Sequence, residues 1–297
     1  MKEKVKKYYS SVSDIYDEMY DVDRLLSSEI YMADYFRYKL IIKRIKKLKI
    51  TGKILDVGCG EGTPLVRICK STKLDPLAID ITESMVEKTK ENFIKNKLNP
   101  RNVLLGDVSK KNSFNKIFKN KKFGVAICLG VMPHVEDVTL TLKNIRKKLK
   151  KNGKLFVSFR NELFSLFTLN RPTKEFFLSK FFTNIPKKNR SLIEKDLNKR
   201  FEVELPPLRM RNKKGGPGYD TTPSRFHNPL TIEKATKNAG FKEQIVHFYH
   251  YHPLPPMYEN TNVSRKLFRE LSIELEKNPN DWRGYFMCSA FLLELTA

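Results

Sequence analysis

The sequence predicts an α/β protein: a three-layer, doubly wound, mostly parallel sheet with helices on both faces, interrupted once by a helical and irregular insertion after its fifth strand. Three observations carry this expectation. Short apolar runs alternate with helical stretches between residues 53 and 159, the alternation stops after Arg160 and resumes near Thr231, and the first apolar run ends in a cluster of glycines. Apolar runs of strand length between helical stretches imply parallel strands buried on both faces.

Taken in order, Tyr8, Tyr9, Ile15, Tyr16 and Tyr20 are spaced as on an amphipathic helix, and a second helical pattern runs from Ile30 to Lys47. The first strand is KILDVG (53–58), followed by a helix over Thr63–Ser71 whose Pro64 is tolerated in a first turn. LAID (77–80) is the second strand, and Thr82 is positioned to cap a helix reaching about Asn96. VLLGD (103–107) and GVAICLG (124–130) follow as strands, then a helix over Val138–Leu149 and the strand KLFVSF (154–159). Residues 161–231 carry the pairs Phe176-Phe177 and Phe181-Phe182, then Pro206-Pro207 and Gly215-Gly216-Pro217-Gly218, and read as an insertion. A helix over Thr231–Ala239 closes at Gly240; strands over 241–250 and 285–295, with a helix near Val263–Lys277 between them, complete the pattern.

With 297 residues, 40% hydrophobic and 11% aromatic, the chain has enough apolar content to build a core, which excludes a disordered polyelectrolyte. No window offers the roughly 20 apolar residues of a membrane span, and the basic start lacks the apolar segment of a secretory signal, so a cytoplasmic location is expected. Cys59, Cys69, Cys128 and Cys288 have no metal-binding spacing and read as reduced, buried residues. The net charge of +24 suggests nucleic acid, but the basic residues are 41 Lys against 16 Arg and are scattered through every segment. Arginine is the better reader of phosphates and bases, so a compositional origin of the charge is favoured. The runs Lys147-Lys148, Lys150-Lys151 and Arg209–Lys214 keep the alternative open.

The chemistry lies in Leu55-Asp56-Val57-Gly58-Cys59-Gly60-Glu61-Gly62. A strand ends in an acid, and three glycines at alternate positions turn the chain into a helix while letting its backbone approach a ligand. Asp80 ends the second strand, where a carboxylate accepts both hydroxyls of a ribose; Asp107 ends the third, where it accepts an adenine amino group. Three acids at successive strand ends outline a nucleoside pocket. A nicotinamide-binding fold is the competitor, but its phosphate turn is G-x-G-x-x-G and sits on a helix N-terminus. Asp56 and Glu61 beside the turn would repel a pyrophosphate and attract an ammonium group, which favours a ligand with a nucleoside at one end and a cation at the other.

These residues resemble the class I S-adenosylmethionine-dependent methyltransferases. LDVGCGEG is similar to their first motif, AID (78–80) to their ribose-binding acid, GDV (106–108) to their adenine segment, CLGVMPHVED (128–137) to the segment after the fourth strand, and GKLFVSF (153–159) to the fifth strand. The likeness is close over 51–160 and looser over 231–297. It implies a seven-stranded sheet of order 3-2-1-4-5-7-6 with the last strand antiparallel. It implies S-adenosyl-L-methionine as cofactor, held by Asp56, Gly58, Gly60, Asp80, Ile81, Asp107, Val108 and Leu129. With the pattern of elements, the chain then divides into a helical lead-in or lid (1–50), a cofactor-binding half (51–160), a substrate-shaping insertion (161–231) and the remainder of the same core (232–297).

Outside that pocket, His134 is either a general base near the emerging methyl group or a loop histidine bonded to backbone. Arg160 and Asn161 end the fifth strand, as substrate contacts or as loop anchors; Tyr219 and His227 are candidates to contact substrate, His227 also as base. His247, His250 and His252 form an H-x2-H-x-H cluster, but in a strand His247 points away from the other two, so no metal site is expected. Tyr8, Tyr9 and Tyr16 either lid the cofactor or pack on the core. The expected activity is methylation of an oxygen or nitrogen of a small molecule, with an RNA methyltransferase and a non-catalytic cofactor-binding protein as alternatives. No Asn/Asp-Pro-Pro-Tyr/Phe element of base-amino methylases follows the fourth strand.

Overall fold

The computed structural model describes residues 2–12, 33–110, 118, 121–181, 183, 185–200, 210–211, 215–256 and 265–297. Ile15, Tyr16, Tyr20, Phe182, Pro206-Pro207 and Arg209 lie outside the described residues. Helices α1 (Lys2–Val12) and α2 (Ala33–Lys47) precede β1 (Lys53–Val57), α3 (Thr63–Thr72), β2 (Asp75–Asp80), α4 (Glu83–Lys95), β3 (Val103–Leu105), β4 (Phe123–Cys128), α5 (Val138–Arg146) and β5 (Leu149–Asn161). Then come α6 (Arg171–Phe176), α7 (Lys187–Arg200), β6 (Phe226–His227), α8 (Glu233–Asn238), β7 (Glu243–Tyr251), α9 (Arg265–Glu276), α10 (Gly284–Met287) and β8 (Cys288–Thr296).

The sheet runs β3-β2-β1-β4-β5-β8-β7, parallel through β5, with β8 antiparallel to both its neighbours. The expected order holds, with one addition. The returning end of the insertion lays β6 parallel to the tip of β5, pairing Arg160 with Phe226 and Asn161 with His227, and makes an eighth strand. A second difference lies at 284–287, which is helical and not part of the last strand. Gly284 packs under Phe248 so closely that a Cβ there would meet its ring at 2.3 Å, which fixes the chain in a turn before β8 begins.

Alternate side chains of β1 enter opposite cores, as the period of a strand dictates. Leu55 and Val57 join Leu142 and Ile145 of α5, while Ile54 joins Ile41 and Ile45 of α2 and Ile68 of α3. Helix α2 is also tied to the sheet electrostatically. Arg44 of α2 makes a bidentate pair with Glu294 of β8 (Nε–Oε2 2.6 Å, Nη2–Oε1 2.9 Å), and His247 of β7 approaches the same carboxylate at 3.4 Å. The four cysteines are buried free thiols. No helix among the described residues is long and apolar enough to cross a membrane.

Candidate active site

The glycine turn is set by its neighbours as much as by its own residues. Gly58 and Cys59 both donate their backbone N–H to the carbonyl of Ile79 on β2, at 2.8 and 3.0 Å. Gly58 has φ 77°, and a Cβ there would stand 2.2 Å from Cγ2 of Val131, so the loop after β4 closes directly on it. Gly62 (φ 82°) starts α3, with Pro64 in the first turn as the sequence permits.

Asp80 braces this turn from the next strand. Its Oδ2 accepts the N–H of Gly60 at 3.0 Å and its Oδ1 the N–H of Thr82 at 2.9 Å. Thr82 therefore occupies the N-cap position of α4 with its backbone engaged, and its side chain makes no capping hydrogen bond. Asp56 is buried at the end of β1, and burial together with the neighbouring Asp80 raises its pKa to about 8. Burial raises Asp80 as well, against the pull of its backbone donors. Asp107 differs, because Lys2, Ser109 Oγ and Ser109 N–H at 2.8, 2.6 and 3.0 Å outweigh its burial and hold its carboxyl below the usual range.

A cleft of about 920 Å³, measured out to its mouth, opens across the carboxyl ends of β1, β2 and β4. Gly58, Gly60, Asp80, Ile81, Asp107, Val108 and Leu129 all line it, so these sequence candidates converge, and His134 lines it too. Asp56 lines a smaller adjoining cavity that shares Gly58, Gly60 and Leu129 with the first and is faced by Arg37 of α2. Lys2, Val5 and Tyr9 of α1 line the cleft as well. The sequence reading passed over Lys2, Val5 and Arg37; the i, i+3, i+7 spacing of 2, 5 and 9 was the available signal for the first two.

His134 is held from both sides. Its Nδ1 lies 3.0 Å from the carbonyl of Pro223 and its Nε2 3.2 Å from the hydroxyl of Tyr9. Burial, and secondarily the charge of Arg160, lowers its pKa. The returning segment reaches it directly, since Arg225 donates its N–H to Pro133 and its guanidinium to Val135. The other insertion candidates sit farther out. His227 is not among the cleft-lining residues; its ring meets Phe159 edge-on at 4.9 Å, its Nδ1 is buried without a partner, and burial with Arg225 lowers its pKa to about 4. Arg160 stacks on Phe226 at 5.7 Å. The backbone of Tyr219 lies in a short 3-10 turn that packs beside α1. The substrate reading of Asn161 gives way to the anchoring one. Its Nδ2 donates to the carbonyls of Tyr285 and Cys288 at 2.8 Å each, and its Oδ1 accepts Leu163 N–H at 3.0 Å, so its polar atoms are spent on backbone.

A mostly parallel sheet of this order with acids at the ends of β1, β2 and β3 around a glycine turn is the architecture of class I methyltransferases. A family profile described as a methyltransferase domain matches residues 48–199, and the chain belongs to this S-adenosylmethionine-dependent family. Among curated relatives, a ubiquinone biosynthesis O-methyltransferase of Pelagibacter ubique is 32% identical over 114 residues, spanning 37% of this chain and 42% of the relative. A ribosomal RNA small subunit methyltransferase C of Buchnera aphidicola is 36% identical over 142 residues, spanning 44% of this chain and 39% of the relative. The chain thus spans less than half the length of either. In fold it matches a magnesium protoporphyrin IX methyltransferase from Synechocystis, solved with bound SAH, over 100% of this chain and 99% of that one (TM-score 0.52, 13% identity). A methyltransferase from Clostridium acetobutylicum aligns over 97% and 98% (TM-score 0.51, 14% identity).

Proposed function

We propose that this protein transfers the methyl group of S-adenosylmethionine to an oxygen of a small molecule, with His134 as general base. The observation that carries the reading is the convergence of Asp80, Asp107 and His134 in the lining of one cleft. In this reading the nucleoside lies in the larger cavity, its ribose on Asp80 and its adenine toward Asp107, with Ile81, Val108 and Leu129 as apolar walls. The methionine part lies in the smaller cavity, its ammonium toward Asp56 and its carboxylate toward Arg37. A cation suits a cavity in which burial and the neighbouring Asp80 raise the pKa of Asp56.

The chemistry is an in-line displacement. The acceptor O–H proton passes to Nε2 of His134, an O–CH3 bond forms as the C–S+ bond breaks, and the electron pair of that bond neutralises sulfur. Fixing both reactants at attack distance supplies up to about 7–11 kcal/mol in favourable cases. An oxygen acceptor is supported by the ubiquinone O-methyltransferase relatives, and a base near neutrality is what an O–H acceptor needs. His134 stands ahead of His227 as that base because His134 lines the cleft and His227 does not. Arg160, the Tyr219 turn and the strand carrying His227 then border the acceptor side. The second reading, an RNA acceptor, is favoured by the net charge of +24 and by the ribosomal RNA methyltransferase relative.

Calorimetry with S-adenosylhomocysteine tests the cofactor reading, and transfer of tritium from labelled S-adenosylmethionine to a panel of phenols and hydroxy acids, against total RNA, tests the acceptor. Binding with His134-dependent transfer to a small hydroxyl compound is the expected result. Transfer to RNA alone would reverse the two readings.

A further inference from the structure

Helix α1 presents Lys2, Val5 and Tyr9 to the cleft from one face. At 1.5 Å per residue, Lys2 and Tyr9 are separated by about 10 Å along the axis. That length carries the helix from Asp107, which Lys2 meets at 2.8 Å, to His134, which Tyr9 meets at 3.2 Å. The geometry at His134 fixes who donates. A carbonyl only accepts, so the Pro223 carbonyl 3.0 Å from Nδ1 places the proton there, leaves Nε2 with its lone pair, and makes the Tyr9 hydroxyl the donor to Nε2.

We infer that Tyr9 is a positioning residue of the active site, carried on a covering helix, whose hydroxyl holds Nε2 of His134 unprotonated and aimed into the cleft until an acceptor hydroxyl replaces it. The inference rests on the methyltransferase reading above and extends it to a segment outside residues 48–199, which the family profile covers. The Tyr9 ring also stands edge-on to the His134 ring at 5.9 Å, so the imidazole is gripped through its ring and through both nitrogens. The groups facing it are Tyr9 from α1, the Pro223 carbonyl from the returning segment and the charge of Arg160 from β5. A hydroxyl that donates to the neutral imidazole opposes protonation, in the same direction as Arg160.

The test needs no identified acceptor. The full chain, saturated with S-adenosylhomocysteine, is labelled at histidine Cε1 and titrated by NMR; of its five histidine signals, His134 is assigned by its loss in His134→Gln. Tyr9→Phe keeps the ring and removes only the hydroxyl. The expected result is a rise of the His134 midpoint by about 0.5 on the pH scale or more, following loss of a hydrogen bond to the neutral form. Cofactor-product affinity should stay within about twofold, and the neighbouring Tyr8→Phe should leave the midpoint in place. An unmoved His134 midpoint in Tyr9→Phe overturns the inference, as does a tenfold loss of S-adenosylhomocysteine affinity, which would assign the hydroxyl to the cofactor. If the wild type does not bind S-adenosylhomocysteine at all, the reading of the cleft fails first and this inference falls with it.

Discussion

Asp80→Ala probes fold and function through one carboxylate. In the protein without ligand, Asp80 accepts two backbone N–H groups, from Gly60 at 3.0 Å and Thr82 at 2.9 Å, and is only 8% exposed. Hydrogen bonds to a charged group are worth about 1.5–3 kcal/mol each, so two sum to roughly 3–6 kcal/mol. Part of that is offset, because the carboxylate is itself raised in pKa by burial and its removal relieves that desolvation. A net loss of about 2–4 kcal/mol of stability is expected. For a domain above about 150 residues, each kcal/mol moves the midpoint by roughly 2–4 °C, so Tm should fall by about 4–16 °C. Affinity for S-adenosylhomocysteine should fall further, since two ribose hydroxyls lose the same partner. At about 1.4 kcal/mol per tenfold, losing 3 kcal/mol or more is a hundredfold change in Kd. Thermal unfolding with and without ligand, and calorimetry below the new Tm, measure the two effects separately. A variant with wild-type Tm would refute the brace, and one that loses stability but binds with unchanged Kd would refute the ribose assignment.

Three other perturbations follow from the same geometry. Asp56 has its folded pKa raised to about 8, so its contribution to stability is full below about pH 4 and lost as pH rises toward 8; in ligand-free protein, Asp56→Asn should therefore gain on the wild type across that window and level off above it, as followed by Tm against pH. Glu294 is lowered to about 2 by His247 and Arg44, so its contribution is present above about pH 4.3 and lost as pH falls toward 2; at neutral pH, Arg44→Met should cost up to about 3–5 kcal/mol in urea unfolding by leaving the buried carboxylate with His247 alone beside it. If the charge of +24 is compositional, binding to mixed RNA should lose about 10³-fold or more between 50 and 200 mM salt and show no sequence preference in filter binding.

The sequence was most informative where one residue type satisfies one geometric demand. Glycine at 58 and acids at 56, 80 and 107 were legible because a positive φ under Val131 and carboxylates at parallel strand ends admit few substitutes. The strand order was legible only through the family likeness, since apolar alternation reports that strands exist and not which edges meet. Three features were hidden for physical reasons. The two-residue β6 is too short to show periodicity, and the turn at 284–287 depends on Phe248 from another strand. The contact of Lys2 with Asp107 joins residues 105 positions apart, one of them among 41 lysines. The sequence offered both His134, after the fourth strand, and His227, before the resumed α/β pattern; only His134 lines the cleft, while the ring of His227 packs against Phe159.

The charge arrangement connects these results. A chain of net +24 nevertheless buries Asp56, Glu61 and Asp80 in and beside one turn, where burial raises both Asp56 and Asp80 and the neighbouring Asp80 raises Asp56 further. Such an arrangement opposes folding, and the neighbouring charge of Arg37 relieves Asp56 only in part. Arg37 already pairs with Asp34 at 2.9 Å, and Lys2 is engaged by Asp107. In the proposed reading, a ligand that brings its own positive charge into the cavity adds to that relief. An ammonium and a sulfonium in one molecule do so at the turn itself, whereas a dinucleotide would add phosphates to the existing repulsion. In the proposed reading, the electrostatic cost of the empty turn is therefore a source of selectivity for a cationic nucleoside. Methyl transfer then removes one of the two cations, so the same acids that favour S-adenosylmethionine hold the neutral-sulfur product less firmly and aid its release.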